Sequence, residues 1–319
     1  MKIITLEEHF LDPDMYAGLG APPGIGAPAG SDLPEELLKD LGEGRVADMT
    51  NNNIAMQVLS SLSTQLLPAD VAADRVRTAN DKLAATVREH PDRFAGFAAL
   101  PTAVPKAAAD ELDRAVTDLG FVGTMVMGRP EGQFLSAPRF EPILARAAAL
   151  GVPIYLHPGP PPRATREENY SGFAPAVSTA FQTFAWGWHV ETAVHFINIV
   201  LSGVFDRYPR LQFILGHWGE MIPFYLERLD WALPRSATKL DRTISEYMRE
   251  NVYVTPSGLF TQANLQYCVE LLGVDRILYS VDYPFVGNAG AESFLEDATL
   301  TAEDKEKIAH GTAERLLGL

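Results

Sequence analysis

The sequence predicts an α/β fold, a single (β/α)8 TIM-type barrel with a Gly/Pro-rich lid insertion after its first strand, and one domain over residues 1–319. Three observations predict it: eight short apolar runs rich in β-branched residues, longer segments of helical periodicity between most of them, and no linker-like shift in composition to divide the chain. The runs lie near Ile3 to Glu7, Ile54 to Ser60, Phe94 to Leu100, Val122 to Met127, Pro153 to His157, Gln212 to Gly216, Val252 to Thr255 and Arg276 to Val281. Apolar residues recur at helical spacing over Ala69 to Glu89, Ala107 to Leu119, Phe140 to Leu150, Thr179 to Ser202 and Leu259 to Leu272. Strands alternating with helices imply a parallel sheet.

The rival α/β plan, a doubly wound sheet, carries a Gly-rich phosphate loop between a strand and a helix. Gly18 and Gly20 lack that spacing and do not run from a strand into a helix. Their segment, Leu11 to about Leu33, is dense in Gly and Pro and too long for an ordinary connection, as expected of a lid. A second loop, Pro158 to Ala174, follows the fifth run, contains Pro158, Pro160, Pro161 and Pro162, and is expected over the same barrel mouth.

Composition narrows the function. Of 319 residues, 26 are basic and 41 acidic, a net charge of −15, which argues against nucleic acid because phosphate binding needs clustered Lys and Arg. With 47% hydrophobic and 21% charged residues the chain has ample core material. Cys268 is the only cysteine, so neither an intrachain disulfide framework nor a thiolate cluster can form, and any metal must be held by imidazole and carboxylate. The opening MKIITLEEHF lacks a signal-peptide apolar region, and no stretch reaches the roughly 18 apolar residues of a membrane span. The expectation is a cytoplasmic protein with no membrane partner.

Catalytic groups of such barrels sit at the C-terminal ends of strands. Glu7 and His9 end the first run and, with a side-chain period of two, share a face, while Glu8 points elsewhere and could replace Glu7 only through a bulge. His157 ends the fifth run, His217 the sixth and Asp282 the eighth. A single His or Asp at a strand end is ordinarily a cap or a satisfied buried group. Coincidence across four strands points instead to one divalent ion, zinc or manganese, held by two imidazoles and two carboxylates.

The remaining histidines divide. His189 and His195 are six apart, off the three- or four-residue spacing of one helical face; His195 reads as a core or interface residue and His189 as a residue that could reach the mouth. His90 reads as a helix C-terminal residue and His310 as a surface one. Cys268 reads as packing, and no Gly-x-Ser-x-Gly elbow is present.

Leu6-Glu7-Glu8-His9-Phe10, Tyr155-Leu156-His157-Pro158, Leu201-Ser202-Gly203-Val204-Phe205-Asp206-Arg207, Leu215-Gly216-His217-Trp218-Gly219-Glu220 and Asp282-Tyr283-Pro284-Phe285 together resemble the decarboxylase branch of the metal-dependent amidohydrolase superfamily, over essentially the whole chain. That branch includes γ-resorcylate, dihydroxybenzoate and aminocarboxymuconate semialdehyde decarboxylases. The resemblance implies Glu7, His9, His157 and Asp282 as metal ligands, His217 as catalytic histidine with Glu220 supporting it, Arg228 near the site and Phe285 beside the substrate ring. It implies non-oxidative decarboxylation of a small carboxylic acid such as a hydroxybenzoate, in a homodimer or homotetramer. The alternative is hydrolysis of a lactone or amide by metal-activated water.

Overall fold

A computed structural model describes residues 1–19, 34–62 and 66–319. Its sheet has seven parallel strands in sequence order: β1 (Ile4–Phe10), β2 (Met56–Ser61), β3 (Phe94–Ala98), β4 (Gly123–Met127), β5 (Ile154–His157), β6 (Phe213–Leu215) and β7 (Val252–Val254). The eighth run forms no regular ladder. It is joined to β7 by a single bridge, Val254 to Ile277, and to β1 by another, Leu6 to Ser280. Backbone N–H groups of Leu6 and His9 donate to the carbonyls of Tyr279 and Tyr283, at 3.0 and 2.7 Å. The sheet is thus curled as in a TIM-type barrel, with a seam of isolated bonds where an eighth ladder was expected.

Alternation along the strands builds two cores. Ile4, Leu6, Val58, Phe97, Met125, Tyr155, Ile214, Tyr253 and Leu278 pack together on the inner face. Their neighbours Leu59, Val126, Leu156, Leu215, Val254 and Ile277 pack with the helices outside. The helices Ala69–Glu89, Pro105–Thr117, Glu141–Leu150 and Gln262–Leu272 lie close to their expected spans.

Two expectations need correction. The periodic stretch Thr179 to Ser202 is two helices, Pro175–Gln182 and Gly187–Leu201, broken where a Cβ on Gly187 would lie 2.4 Å from the Gln182 carbonyl oxygen. The second Pro-rich loop contains a helix, Arg163–Asn169, that starts directly after Pro162. Of the insertion after β1, residues 20–33 lie outside the described residues. Its first part forms turns held to the helix Ala69–Glu89 by Arg75, bonded to the carbonyls of Met15 and Ala17, and by Lys82, paired with Asp12 and Asp14. The Leu11 N–H donates to the Leu38 carbonyl at 2.9 Å, so the insertion leaves and rejoins the barrel at one point.

His195 is a core residue: it is buried, and its Nε2 accepts the Leu135 N–H at 2.7 Å. Burial, reinforced by Arg129, pushes its imidazole down to about 3. Between that value and about 6.5 the unfolded chain holds a proton that the folded chain refuses, so stability rises with pH across this window and is lost on acidification. We expect stability to fall by about 2 kcal/mol from this residue between pH 8 and pH 5. Denaturant melts should show a smaller fall for His195→Gln, which keeps an acceptor and cannot titrate; equal falls would exclude His195 as the cause.

Candidate active site

The first strand positions two ligand candidates through an irregularity. Ile4 and Leu6 face the inner core, so regular alternation would turn Glu8 inward and both Glu7 and His9 away. The β1–β2 register shifts between Thr5 and Glu8, and Glu7 takes φ 65°. This bulge reverses the alternation and brings Glu7 and His9 inward. Glu8 is not released as a ligand by it, because its two oxygens accept the backbone N–H groups of Val281 and Tyr283, each at 2.9 Å, tying the eighth run to β1. Burial pushes the Glu8 carboxyl up to about 8, against those two bonds.

Glu7, His9, His157 and Asp282 each offer a donor atom, and these four atoms lie within 4.8 Å of one another. Nε2 of His9 is 3.1 Å from Asp282 Oδ1, and Nε2 of His157 is 3.4 Å from Glu7 Oε1. Donors about 2.1 Å from a shared ion lie roughly 3 to 4 Å apart. Glu7 Oε1 and His9 Nε2 are buried without a hydrogen-bond partner, although both residues are fully enclosed. Such orphaned atoms are costly unless something binds them. The other ring nitrogens are occupied: Nδ1 of His157 lies 2.8 Å from the Pro158 carbonyl, which as an acceptor fixes the proton there and leaves Nε2 as a lone-pair donor, and Nδ1 of His9 lies 3.1 Å from Ser60 Oγ. Burial, with His9 and His217 nearby, holds the His157 imidazole well below its ordinary range, so its ring is neutral as a ligand must be. The donor set therefore fits one divalent ion.

A hydroxyl network behind these residues was not anticipated from the sequence. Tyr155 and Ser257 both donate to Glu7 Oε2, and Ser257 Oγ also accepts the His217 N–H at 2.9 Å. Tyr155 lies two positions before His157, so strand periodicity could have flagged it. Ser257, in a loop after β7, carried no signal. Gly216 is required here: a Cβ would lie 2.6 Å from Ser257 Oγ, 2.9 Å from the Tyr155 hydroxyl and 3.0 Å from Glu7 Oε1.

After β6 the chain makes one left-handed turn. His217, Trp218, Gly219, Glu220 and Met221 have φ of 51°, 58°, 78°, 53° and 64°. Each non-glycine residue in this conformation costs about 1–2 kcal/mol. The turn is held by Trp218, whose N–H donates to the Thr255 carbonyl and whose indole donates to that of Leu259, both at 2.8 Å. It places Glu220 Oε1 2.8 Å from His217 Nδ1. Burial alone would lower the His217 imidazole, but the carboxylates of Glu220, Glu7 and Asp282 outweigh it and push it up to about 10. Glu220 is held below the usual carboxylate range because His217 and His189 outweigh its burial.

The structure thus gathers Glu7, His9, His157, Asp282, His217 and Glu220. Phe285 joins them, its ring 5.8 Å from that of His9. His189 lies behind His217, with both ring nitrogens engaged by protein atoms. Arg228 is not brought to this cluster: it is exposed, with its guanidinium 5.1 Å from the Trp231 ring centroid. Cys268 is buried, and burial raises its thiol to about 12. Among the described residues no helix is long and apolar enough to cross a membrane.

Comparison with known proteins identifies the family of the chain. Residues 15–319 match the amidohydrolase family model. The chain is 38% identical to the decarboxylase orsB of Emericella nidulans, over 99% of this chain and 96% of that protein. It is 36% identical to the γ-resorcylate decarboxylase of a Polaromonas species, over 99% and 98%. The crystal structure of a dihydroxybenzoic acid decarboxylase from Polaromonas, with bound manganese and the inhibitor 2-nitroresorcinol, superposes with a TM-score of 0.87 at 33% identity, covering 100% of this chain and 97% of that one. The chain belongs to the amidohydrolase family, on the branch that holds these decarboxylases.

Proposed function

We propose that the protein is a metal-dependent, non-oxidative decarboxylase of a hydroxybenzoate-type acid. The observation that carries this reading is the meeting of four donors, two of them orphaned and buried, beside an imidazole locked to a buried carboxylate. Glu7, His9, His157 and Asp282 would hold one ion, manganese or zinc. When bound, the ion supplies Lewis acidity and a template for a carboxylate and its neighbouring phenolic oxygen.

The residues do the rest. The net reaction takes an aromatic carboxylate and a proton to an arene and carbon dioxide. Asp282 delivers the proton to the ring carbon that bears the carboxylate; the electrons come from the phenolic oxygen, and loss of carbon dioxide restores aromaticity. His217, aligned by Glu220, hydrogen-bonds the phenolic oxygen and manages its proton. Phe285 lies against the substrate ring. The insertion after β1, which leaves and rejoins beside His9, serves as a lid that excludes water. The acidic surface offers an anionic substrate no general attraction, so recognition is local to the site.

Exposed Phe224, Tyr225 and Trp231 near Arg228, and exposed Trp186 and Val194 by the helix Gly187–Leu201, support a homodimer or homotetramer. The test is turnover of a hydroxybenzoate panel by metal-loaded protein in deuterated water. The expected product carries solvent deuterium at the carbon that lost carbon dioxide. Solvent oxygen in an acid product, after reaction in ¹⁸O-water with a lactone or amide, would mark hydrolysis instead.

A further inference from the structure

Glu220 is buried and divides its two oxygens between two imidazoles: Oε1 faces Nδ1 of His217 and Oε2 faces Nδ1 of His189, each at 2.8 Å. An ionised carboxylate only accepts, so both histidines donate from Nδ1. The two rings are 4.4 Å apart between centroids. Nε2 of His189 is also committed, lying 3.0 Å from the Trp188 indole nitrogen and 2.9 Å from the Phe184 carbonyl oxygen. Neither nitrogen remains for a substrate. His189 belongs to the first turn of the helix Gly187–Leu201, whereas His217 and Glu220 belong to the left-handed turn after β6. Their shared carboxylate ties the two elements together.

We propose that His189 is a positioning residue for His217, acting through Glu220. By holding Oε2 it stops the buried carboxylate from rotating and keeps Oε1 aimed at Nδ1 of His217. That keeps a proton on Nδ1 and turns Nε2 toward Glu7, Asp282 and the reacting groups. Without His189, Oε2 would be left buried and unpaired, which drives a carboxylate to swing toward whatever donor remains. The inference deepens the decarboxylase reading and rests on it for the turnover measurement alone.

The test compares His189→Ala and His189→Asn with the wild type, all as full-length metal-loaded protein. Asparagine places an amide N–H about where the imidazole Nδ1–H lies. Kinetics on a hydroxybenzoate that the wild type turns over supply one readout. Proton–nitrogen NMR of ¹⁵N-histidine-labelled protein supplies the other, by the downfield Nδ1–H resonance of His217, assigned from its loss in His217→Gln. His189→Ala should lower kcat by about 10- to 100-fold, the usual effect of removing an outer-shell partner, with KM and bound metal unchanged and the resonance lost. His189→Asn should restore the resonance and most of kcat. Wild-type kcat in His189→Ala, an unchanged resonance there, or an asparagine variant no better than alanine would each overturn the proposal. Should His189→Ala fail to fold, the resonance in His189→Asn decides: its presence supports the proposal and its absence overturns it. If the protein decarboxylates no hydroxybenzoate yet the resonance is lost in alanine and kept in asparagine, the positioning role stands and the functional reading falls.

Discussion

Asp282→Ala is expected to lower kcat on a hydroxybenzoate by at least about 1,000-fold, because one carboxylate is asked both to hold the ion and to move a proton to carbon. Its Oδ1 lies 3.1 Å from the orphaned Nε2 of His9, so its removal takes away a ligand as well as an acid. His217→Ala should lose turnover on a comparable scale by a different route. His217 contacts Glu220 and faces the carboxylate pair without belonging to the four-donor cluster, so this variant should keep its metal. Metal analysis of the two variants beside their kinetics separates the roles: Asp282→Ala is expected to be depleted of metal and His217→Ala replete. Both should unfold with single transitions. Activity retained in either variant would refute the role assigned to that residue.

Chelation should abolish activity outright, and manganese or zinc should restore it. Glu7 and Asp282 face one another in a buried site, and burial, with Asp282 adding to it, raises the Glu7 carboxyl. A dication relieves both the desolvation and the repulsion. A ligand that binds only the folded state stabilises it by about 4 kcal/mol at a thousand times its dissociation constant. The stripped protein should therefore unfold earlier than the reloaded one, a difference that scanning calorimetry measures without substrate. Full activity after exhaustive chelation, with no metal detected, would end the metal-site reading.

How legible the site was varied by residue. His157 was found at the end of β5, and Asp282 just beyond the run that bridges β7 to β1, because the ends of such runs are marked in sequence by where apolar residues stop. Glu7 and His9 were placed together by a period of two, and they are together, but a regular strand would have turned both away from the face of Leu6. A bulge supplies the correction, and nothing in Leu6-Glu7-Glu8-His9 announces it. The carboxylate bonds of Glu8 to Val281 and Tyr283 join residues more than 270 positions apart. Sequence pattern registers periodicity within a segment, not the partner that a side chain meets across the molecule.

The order of the seven strands and the choice of imidazole and carboxylate over thiolate were settled by the chain's local pattern, since burial of alternate residues and the stopping of apolar runs are local events. Packing settled what depends on distant contacts. The left-handed turn that aims His217 exists because Thr255, Leu259 and Glu220 hold it. The Ser257 hydroxyl reaches both Glu7 and His217 only once β7 lies beside β6. His189 meets Glu220 because a helix and a strained turn, 31 residues apart in sequence, are pressed together. Strain of this kind persists only where surrounding contacts over-determine the backbone, and those contacts form when the fold is complete.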